Sequence, residues 1–254
     1  MKVLIGNTGL VGQTLQEGIK FDLMFNSSNI ETIKQYDLNN SEIYLACLPA
    51  TKWKVNLDIL KDFENLYKIF DYIKPFIYKK IVLISTIDVY TECNNGVTEE
   101  DTPTFSKLHY GSNRFLFELL IKELNCNNIQ VYRLPALFSK RIKKNILYDL
   151  FTDNNVSNID KNSAYQWYNL DNLIKNIQQI NTSGTYNLFP EPIPTSKIIE
   201  LFSKKIKTTP HTPLSVYYNY KTVHTTSGYI ESSEVVLNEI KKLVDEFRDK
   251  PFGI

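Results

Sequence analysis

The sequence predicts an α/β protein: a doubly wound parallel sheet with helices on both faces, followed by a small C-terminal lobe. Three observations carry this. The first half alternates short apolar runs with amphipathic stretches. Its opening run feeds straight into a glycine-spaced turn, Gly6-Asn7-Thr8-Gly9-Leu10-Val11-Gly12. After Pro135 the alternation loosens. Residues 1–135 therefore read as the sheet-bearing core, and residues 136–254 as the lobe, some of whose segments return to the core.

Taken in order, Lys2 to Ile5 is a short strand that stops at Gly6. Leu10 to Gly18 is a helix, with Leu10, Val11, Leu15 and Ile19 near helical spacing. Asp22 to Phe25 makes a second strand, ended by the polar turn at Asn26-Ser27-Ser28-Asn29. Ile43 to Cys47 is a strand of buried type, followed by the loop Leu48-Pro49-Ala50-Thr51. Asp58 to Tyr72 is a helix whose stripe is Ile59, Phe63, Leu66, Ile69, Phe70 and Ile73. Lys80 to Ser85 is the clearest central strand, Tyr110 to Leu124 a long helix, and Ile129 to Leu134 a further strand. In the lobe, Thr195 to Ile206 and Ser232 to Phe247 resume helical patterning.

Composition excludes several classes. Lys and Arg total 29 against 28 Asp and Glu, so no net field draws the protein to nucleic acid or an acidic membrane. No apolar run is long enough to cross a bilayer, and the chain opens on a strand rather than a basic-then-apolar leader. Cys47, Cys93 and Cys126 are odd in number and unpaired in spacing, which fits a reducing compartment; a cytoplasmic location is expected. His109, His211 and His224 show no metal-like spacing, so no metal is expected.

A strand running into Gly-x-x-Gly-x-x-Gly and then a helix has a mechanical use. Gly6 allows the tight turn, Gly9 lets backbone approach a pyrophosphate, and Gly12 lets the helix pack on the sheet. The helix N-terminus, with Thr8, Leu10 and Val11, offers unpaired N–H groups and partial positive charge to phosphates. A ligand-free turn is the alternative, but its place at the head of a βαβ unit favours a dinucleotide and a Rossmann-type core. The end of the second strand carries Asn26, Ser27 and Ser28, and no carboxylate to reject a 2′-phosphate. NADP or NAD is expected, with a lean to NADP.

Candidate reacting groups follow the strongest strand. Ser85 and Thr86 stand at the carboxyl edge of the sheet, where open α/β folds bind ligands, with Asp88 just beyond. Tyr110 and Arg114, four apart at the start of a helix, project from one face. A phenol with an ordinary pKa of about 10 exchanges protons near neutrality only with help, and a guanidinium can bias it toward phenolate. An aromatic–cation pair capping a helix is the plainer alternative.

Together with the glycine turn, these residues resemble the extended branch of the short-chain dehydrogenase/reductase superfamily, the NAD-dependent epimerases, dehydratases and reductases of nucleotide-linked sugars. The carriers are Gly6 to Gly12, Ser85 to Tyr90, Tyr110 to Arg114, Arg133 to Phe138, Gly184-Thr185-Tyr186-Asn187 and Gly228-Tyr229. The resemblance implies Tyr110 as acid/base and Thr86, with Ser85, as the hydroxyl orienting the reacting oxygen. It implies that Leu48, Pro49, Ala50, Pro135 and Leu137 line the nicotinamide, and that the lobe binds the sugar nucleotide. It also implies a homodimer through the helices at 58–72 and 110–124.

Two positions depart from the pattern. Arg114 stands where the family has the lysine of Tyr-x-x-x-Lys, and its planar fork cannot place a point charge in the same spot. Ile87 fills the first place of the dehydratase acidic pair, leaving Asp88, so sugar dehydration is not expected. Reduction or epimerisation needs only the hydroxyl, the tyrosine and the cofactor. Lys143, Lys144 and Asn145, with Gln166 and Trp167, lie where a substrate lobe would begin; a diphosphate could meet the lysines, and a solvated basic turn beside a packed aromatic cluster is the alternative. The leading expectation is an NAD(P)-dependent oxidoreductase or epimerase acting on a nucleotide-linked sugar. The competing one, motivated by Arg114, is a catalytically degenerate dinucleotide-binding protein acting as redox sensor or scaffold.

Overall fold

The structure, a computed structural model, describes residues 1–202 and 215–247. Its regular elements run β1 (Lys2–Ile5), α1 (Leu10–Gly18), β2 (Leu23–Phe25), β3 (Glu42–Leu45), α2 (Lys52–Leu57), α3 (Ile59–Ile73) and β4 (Lys80–Thr86). They continue with α4 (Tyr110–Lys122), β5 (Ile129–Leu134), β6 (Ala136–Phe138), α5 (Ile146–Thr152), β7 (Ala164–Tyr165), β8 (Trp167–Asn169) and α6 (Leu173–Gln179). The last are β9 (Gly184–Asn187), β10 (Ile193–Pro194), α7 (Thr195–Glu200) and α8 (Ser233–Phe247). The chain divides into two compact units, the first made of Met1–Asn94, Glu99–Leu134 and Asn172–Asn187.

That first unit holds a six-stranded, wholly parallel sheet in the order β2-β1-β3-β4-β5-β9. The path leaves β1 toward β2 and later runs from β3 toward β4 in the opposite direction. Right-handed crossovers therefore set α1 and α3 on opposite faces and open a crevice beyond the carboxyl ends of β1 and β3. One face packs Val3, Ile5, Ile43, Leu45, Ile81, Leu83 and Val131 against Leu66 and Ile73 of α3 and Phe117 and Ile121 of α4. The intervening residues Leu4, Tyr44, Val82 and Tyr132 point to the other face and are as deeply buried. Burial on both faces is why these strands read as unbroken apolar runs. On the second face α1 meets α6 so closely that a Cβ on Gly18 would come within 2.8 Å of Ile174.

The expected elements are present with small shifts. Asp58 lies just outside α3 and caps it, its carboxylate accepting the Lys61 N–H at 3.0 Å. Asp22 lies outside β2, its carboxylate accepting the Lys2 backbone N–H at 2.7 Å. The loop at 48–51 leads directly into the unexpected helix α2, and a short 3-10 turn, Ile87–Tyr90, follows β4. The segment Gly184 to Asn187 returns as the sixth strand of the sheet.

The second unit comprises Asn95–Thr98, Pro135–Asp171 and Leu188–Ile254. It contains two small two-stranded sheets, parallel β6·β8 and antiparallel β7·β10, with α5, α7 and α8. Tyr165, Trp167, Tyr218 and Tyr220 form a ring cluster within it. Of the helix expected over 195–206, Thr195–Glu200 is observed; residues 203–206 and His211 lie outside the described residues. No helix among the described residues is long and apolar enough to cross a membrane.

Candidate active site

The glycine turn is built to leave an opening. Gly6 sits at φ +98°, and a Cβ there would stand 2.2 Å from the Ala46 carbonyl oxygen of the neighbouring strand exit. A Cβ on Gly12 would come 2.0 Å from the Gly6 oxygen, so α1 can start this close only without one. Gly9, by contrast, has its nearest neighbour 3.6 Å from a would-be Cβ, and it is exposed. No side chain caps α1. Two closed glycines and one open one, below an uncapped helix start, are what a pyrophosphate requires. Gln16 braces the turn by donating to the Asn7 and Gly12 carbonyls at 2.8 and 2.9 Å. Asn26 donates to the Asn7 side chain at 3.1 Å and accepts from the Ser28 hydroxyl at 2.6 Å, while Ser27 and Ser28 stay exposed.

Thr86, Asp88 and Tyr110 meet at the carboxyl end of β4. A Cβ on Gly111 would lie 1.9 Å from the Asp88 carbonyl oxygen, so the second residue of α4 rides directly on the turn after β4. That contact brings the buried Tyr110 hydroxyl into hydrogen-bonding reach of Thr86. Thr86 Oγ1 accepts the Asp88 N–H at 3.2 Å and lies 3.5 Å from Asp88 Oδ2. His109 caps α4, its Nδ1 accepting the Gly111 and Ser112 N–H groups at 3.0 and 3.3 Å. Asn56 of α2 accepts the Tyr110 N–H at 2.8 Å.

Arg114 is fully buried and its guanidinium lies 4.3 Å from the Tyr110 ring centroid. Asp62 of α3 receives Nη1 at 2.5 Å and Nη2 at 3.2 Å, and the Pro49 carbonyl receives Nη2 at 2.7 Å. Nε has no acceptor among the described residues. Arg114 pulls Tyr110 toward phenolate as expected, and Thr86 adds to that pull, but burial drives the phenol upward by more and Asp88 adds to the rise. The physical reason is that an enclosed, low-dielectric position disfavours the charged form of a phenol.

Ser85 points elsewhere. Its hydroxyl donates to Glu118 at 2.5 Å inside the core, and Glu118 takes Arg133 through Nε and Nη2, the latter at 2.6 Å. Arg133 Nη1 donates to the Tyr90 hydroxyl, which Asn187 Nδ2 reaches at 3.2 Å. Adjacent strand residues face opposite sides, so Thr86 and not Ser85 is brought to Tyr110.

Two residues that the sequence reading passed over border the site. Lys52 of α2 pairs with Asp88 Oδ1 at 2.6 Å, and Asp62 holds Arg114. Of the nicotinamide-lining candidates, Leu48, Pro49 and Ala50 lie on the loop that Arg114 grips through Pro49, with Pro49 and Ala50 exposed. Within the second unit, Pro135 and Leu137 flank the start of β6, and Asn145 Nδ2 donates to the Leu137 carbonyl at 2.8 Å while its Oδ1 caps α5. Gln166 is buried and spent on the Pro190 and Tyr220 backbone. Trp167 is buried and its indole N–H has no partner among the described residues, and Lys143 and Lys144 are exposed. Among the described residues no group of three or more His, Cys, Asp or Glu could hold a metal ion.

No protein-family model matches the chain. No curated protein matches it by sequence. Solved structures do. The dTDP-4-dehydrorhamnose reductase of Bacillus anthracis, in complex with NADP, is 16% identical over 96% of this chain and 97% of its own, with TM-score 0.72. The Bordetella bronchiseptica enzyme WbmG, in complex with NAD and UDP, is 8% identical over 98% and 95%, with TM-score 0.75. The UDP-N-acetylglucosamine 4-epimerase of Bacillus cereus is 15% identical over 96% and 99%, with TM-score 0.63. The chain thus shares the fold of these enzymes, a Rossmann-like six-stranded parallel sheet flanked by helices.

Proposed function

We propose that the protein is an NAD(P)-dependent reductase of a carbonyl on a nucleotide-linked sugar, with Tyr110 as proton donor. The observation that carries this reading is the corner at the end of β4. There a buried phenol sits within hydrogen-bonding reach of the Thr86 hydroxyl. A phenol beside a hydroxyl can give its proton to the alkoxide that forms as a carbonyl is reduced.

The turn Gly6 to Gly12 would hold the dinucleotide phosphates, with the N–H groups of Leu10 and Val11 directed at them. Asn26, Ser27 and Ser28 present hydroxyl and amide groups and no carboxylate to the adenosine ribose, so NADP is the preferred cofactor in this proposal. The Arg114–Pro49 bond would fix the loop Leu48 to Ala50 beside the nicotinamide ribose. When bound, the reduced nicotinamide supplies hydride for the carbonyl carbon. The protein's own part is to orient the carbonyl oxygen with Thr86 and to give it the Tyr110 proton. Those are matters of position before they are matters of strength.

The nucleotide-linked sugar as substrate is supported by the solved neighbours, one of which holds UDP and another of which is named for a dTDP-linked sugar. Exposed Lys143 and Lys144 are the candidate diphosphate contacts in this proposal. The test is NADPH consumption with a panel of nucleoside-diphosphate 4-keto sugars, using Tyr110→Phe as control. The second reading, a dinucleotide binder without turnover, is favoured by one observation: Asp62 ties up the charge of Arg114. Tight NADPH binding by a wild type that reduces nothing in the panel, together with turnover by Arg114→Lys, would establish that second reading.

A further inference from the structure

The proposed reduction takes the phenolic proton from Tyr110, which is 7% exposed and must regain it in every cycle. Arg114 offers no path back, because a guanidinium does not release a proton in proteins and this one is wholly enclosed. On the other side of the phenol the contacts form a line. Tyr110 reaches Thr86; Thr86 Oγ1 lies 3.5 Å from Asp88 Oδ2; and Asp88 Oδ1 holds Lys52 Nζ at 2.6 Å. The Asp88 side chain is 14% exposed and that of Lys52 is 44% exposed, so the line ends in solvent. All four residues belong to the first unit.

We propose that Lys52 and Asp88 are the proton-delivery branch of this site, acting through Thr86 to restore the Tyr110 phenol. The inference rests on Tyr110 being the donor proposed above. The balance is simple. Once Tyr110 stands as phenolate, the Thr86 hydroxyl passes its proton to the phenolate oxygen. Thr86 is reprotonated through the Asp88 carboxylate by the Lys52 ammonium, and the resulting amine takes a proton from water. Only O–H and N–H bonds form and break, no electrons move, and one proton travels from water to Tyr110. The long link is Thr86 to Asp88, and such contacts commonly shorten only once substrate is in place.

Lysine and arginine separate this role from a purely electrostatic one, since both carry charge but only lysine can give its proton away. In multiple-turnover reduction, Lys52→Arg and Lys52→Met are each expected to be slower by about tenfold or more, with unchanged NADPH affinity and a larger solvent deuterium effect. Added methylamine should restore Lys52→Met. A Lys52→Arg enzyme that keeps the wild-type rate overturns the branch while leaving the proposed function standing. Should the wild type reduce nothing in the sugar panel, the functional reading falls, and the branch is judged by the titration of Tyr110. That titration is followed by carbon NMR of ring-labelled tyrosine, with Tyr110→Phe giving the assignment. Coupling predicts that Asp88→Asn lowers the titration, and Lys52→Met raises it, by about half a pH unit or more. Titrations that coincide with wild type in both variants overturn the proposal.

Discussion

Asp62 and Arg114 form a fully enclosed ion pair between α3 and α4, with Nη1 2.5 Å from the carboxylate. Asn113 adds a second donor to the same carboxylate at 2.9 Å. Removing one partner leaves an uncompensated charge inside the protein. Asp62→Ala or Arg114→Ala is therefore expected to cost about 3–5 kcal/mol, whereas the double change Asp62→Leu with Arg114→Leu should cost less than either single. Urea unfolding of the four proteins checks this; single variants that unfold with the wild type would show the pair to be energetically idle.

Tyr110→Phe deletes the proposed proton and little else, since the ring can still stack beneath Arg114. Turnover with a responsive keto sugar is expected to fall by about 10²–10⁴-fold while NADPH binding holds. Stopped-flow absorbance and fluorescence titration read the two quantities separately. Full activity in this variant would remove Tyr110 from the chemistry.

Gly12→Ala would set a methyl group 2.0 Å from the Gly6 oxygen, so α1 must move away from the phosphate turn. Loss of a single charge-assisted bond to phosphate is worth about tenfold or more in affinity, and NADPH Kd should weaken by at least that factor. Isothermal titration decides it. Unchanged affinity would mean that the dinucleotide binds elsewhere.

His109 ties the start of α4 to pH. Its Nδ1 accepts two N–H groups at the start of α4, and Nε2 faces Glu92 at 3.4 Å. Burial pushes its pKa down, with Lys52 and Lys107 helping and Glu92 and Asp88 opposing. A histidine whose folded value is lowered stabilises the fold fully above its unfolded value of about 6.5, and that stability is lost as pH falls through the folded value. The melting temperature should therefore drop on acidification below about pH 6.5. His109→Asn, which can still cap the helix, should flatten that dependence. Parallel melting curves for the two proteins would refute the assignment.

A homodimer is proposed through α3 and α4, where Leu60, Tyr67, Leu116 and Leu119 are exposed apolar residues. Light scattering should give twice the chain mass, and Leu116→Glu with Leu119→Glu should halve it. A monomeric wild type refutes the proposal.

Much of this was legible in the residues, and what was not has identifiable causes. The sheet strands could be read because both faces are buried, and the glycine turn because its spacing is mechanical. Ser85 was placed with Thr86 although consecutive strand residues diverge; that rule alone assigns one of them to the interior with Glu118. Asp62 sits at the position of the α3 stripe shared by Ile59, Leu66 and Ile73. A carboxylate on an apolar stripe signals a buried cation, and Arg114 is that cation. Lys52 had no such signal. Its helix buries only Val55, so no periodicity marks it, and its partner lies 36 residues away.

The hydrogen on Gly111 is all that separates α4 from the carbonyl of Asp88. Strand end and helix start are thereby locked like two gears. Any side chain at position 111 would push the helix start off the turn and part Tyr110 from Thr86.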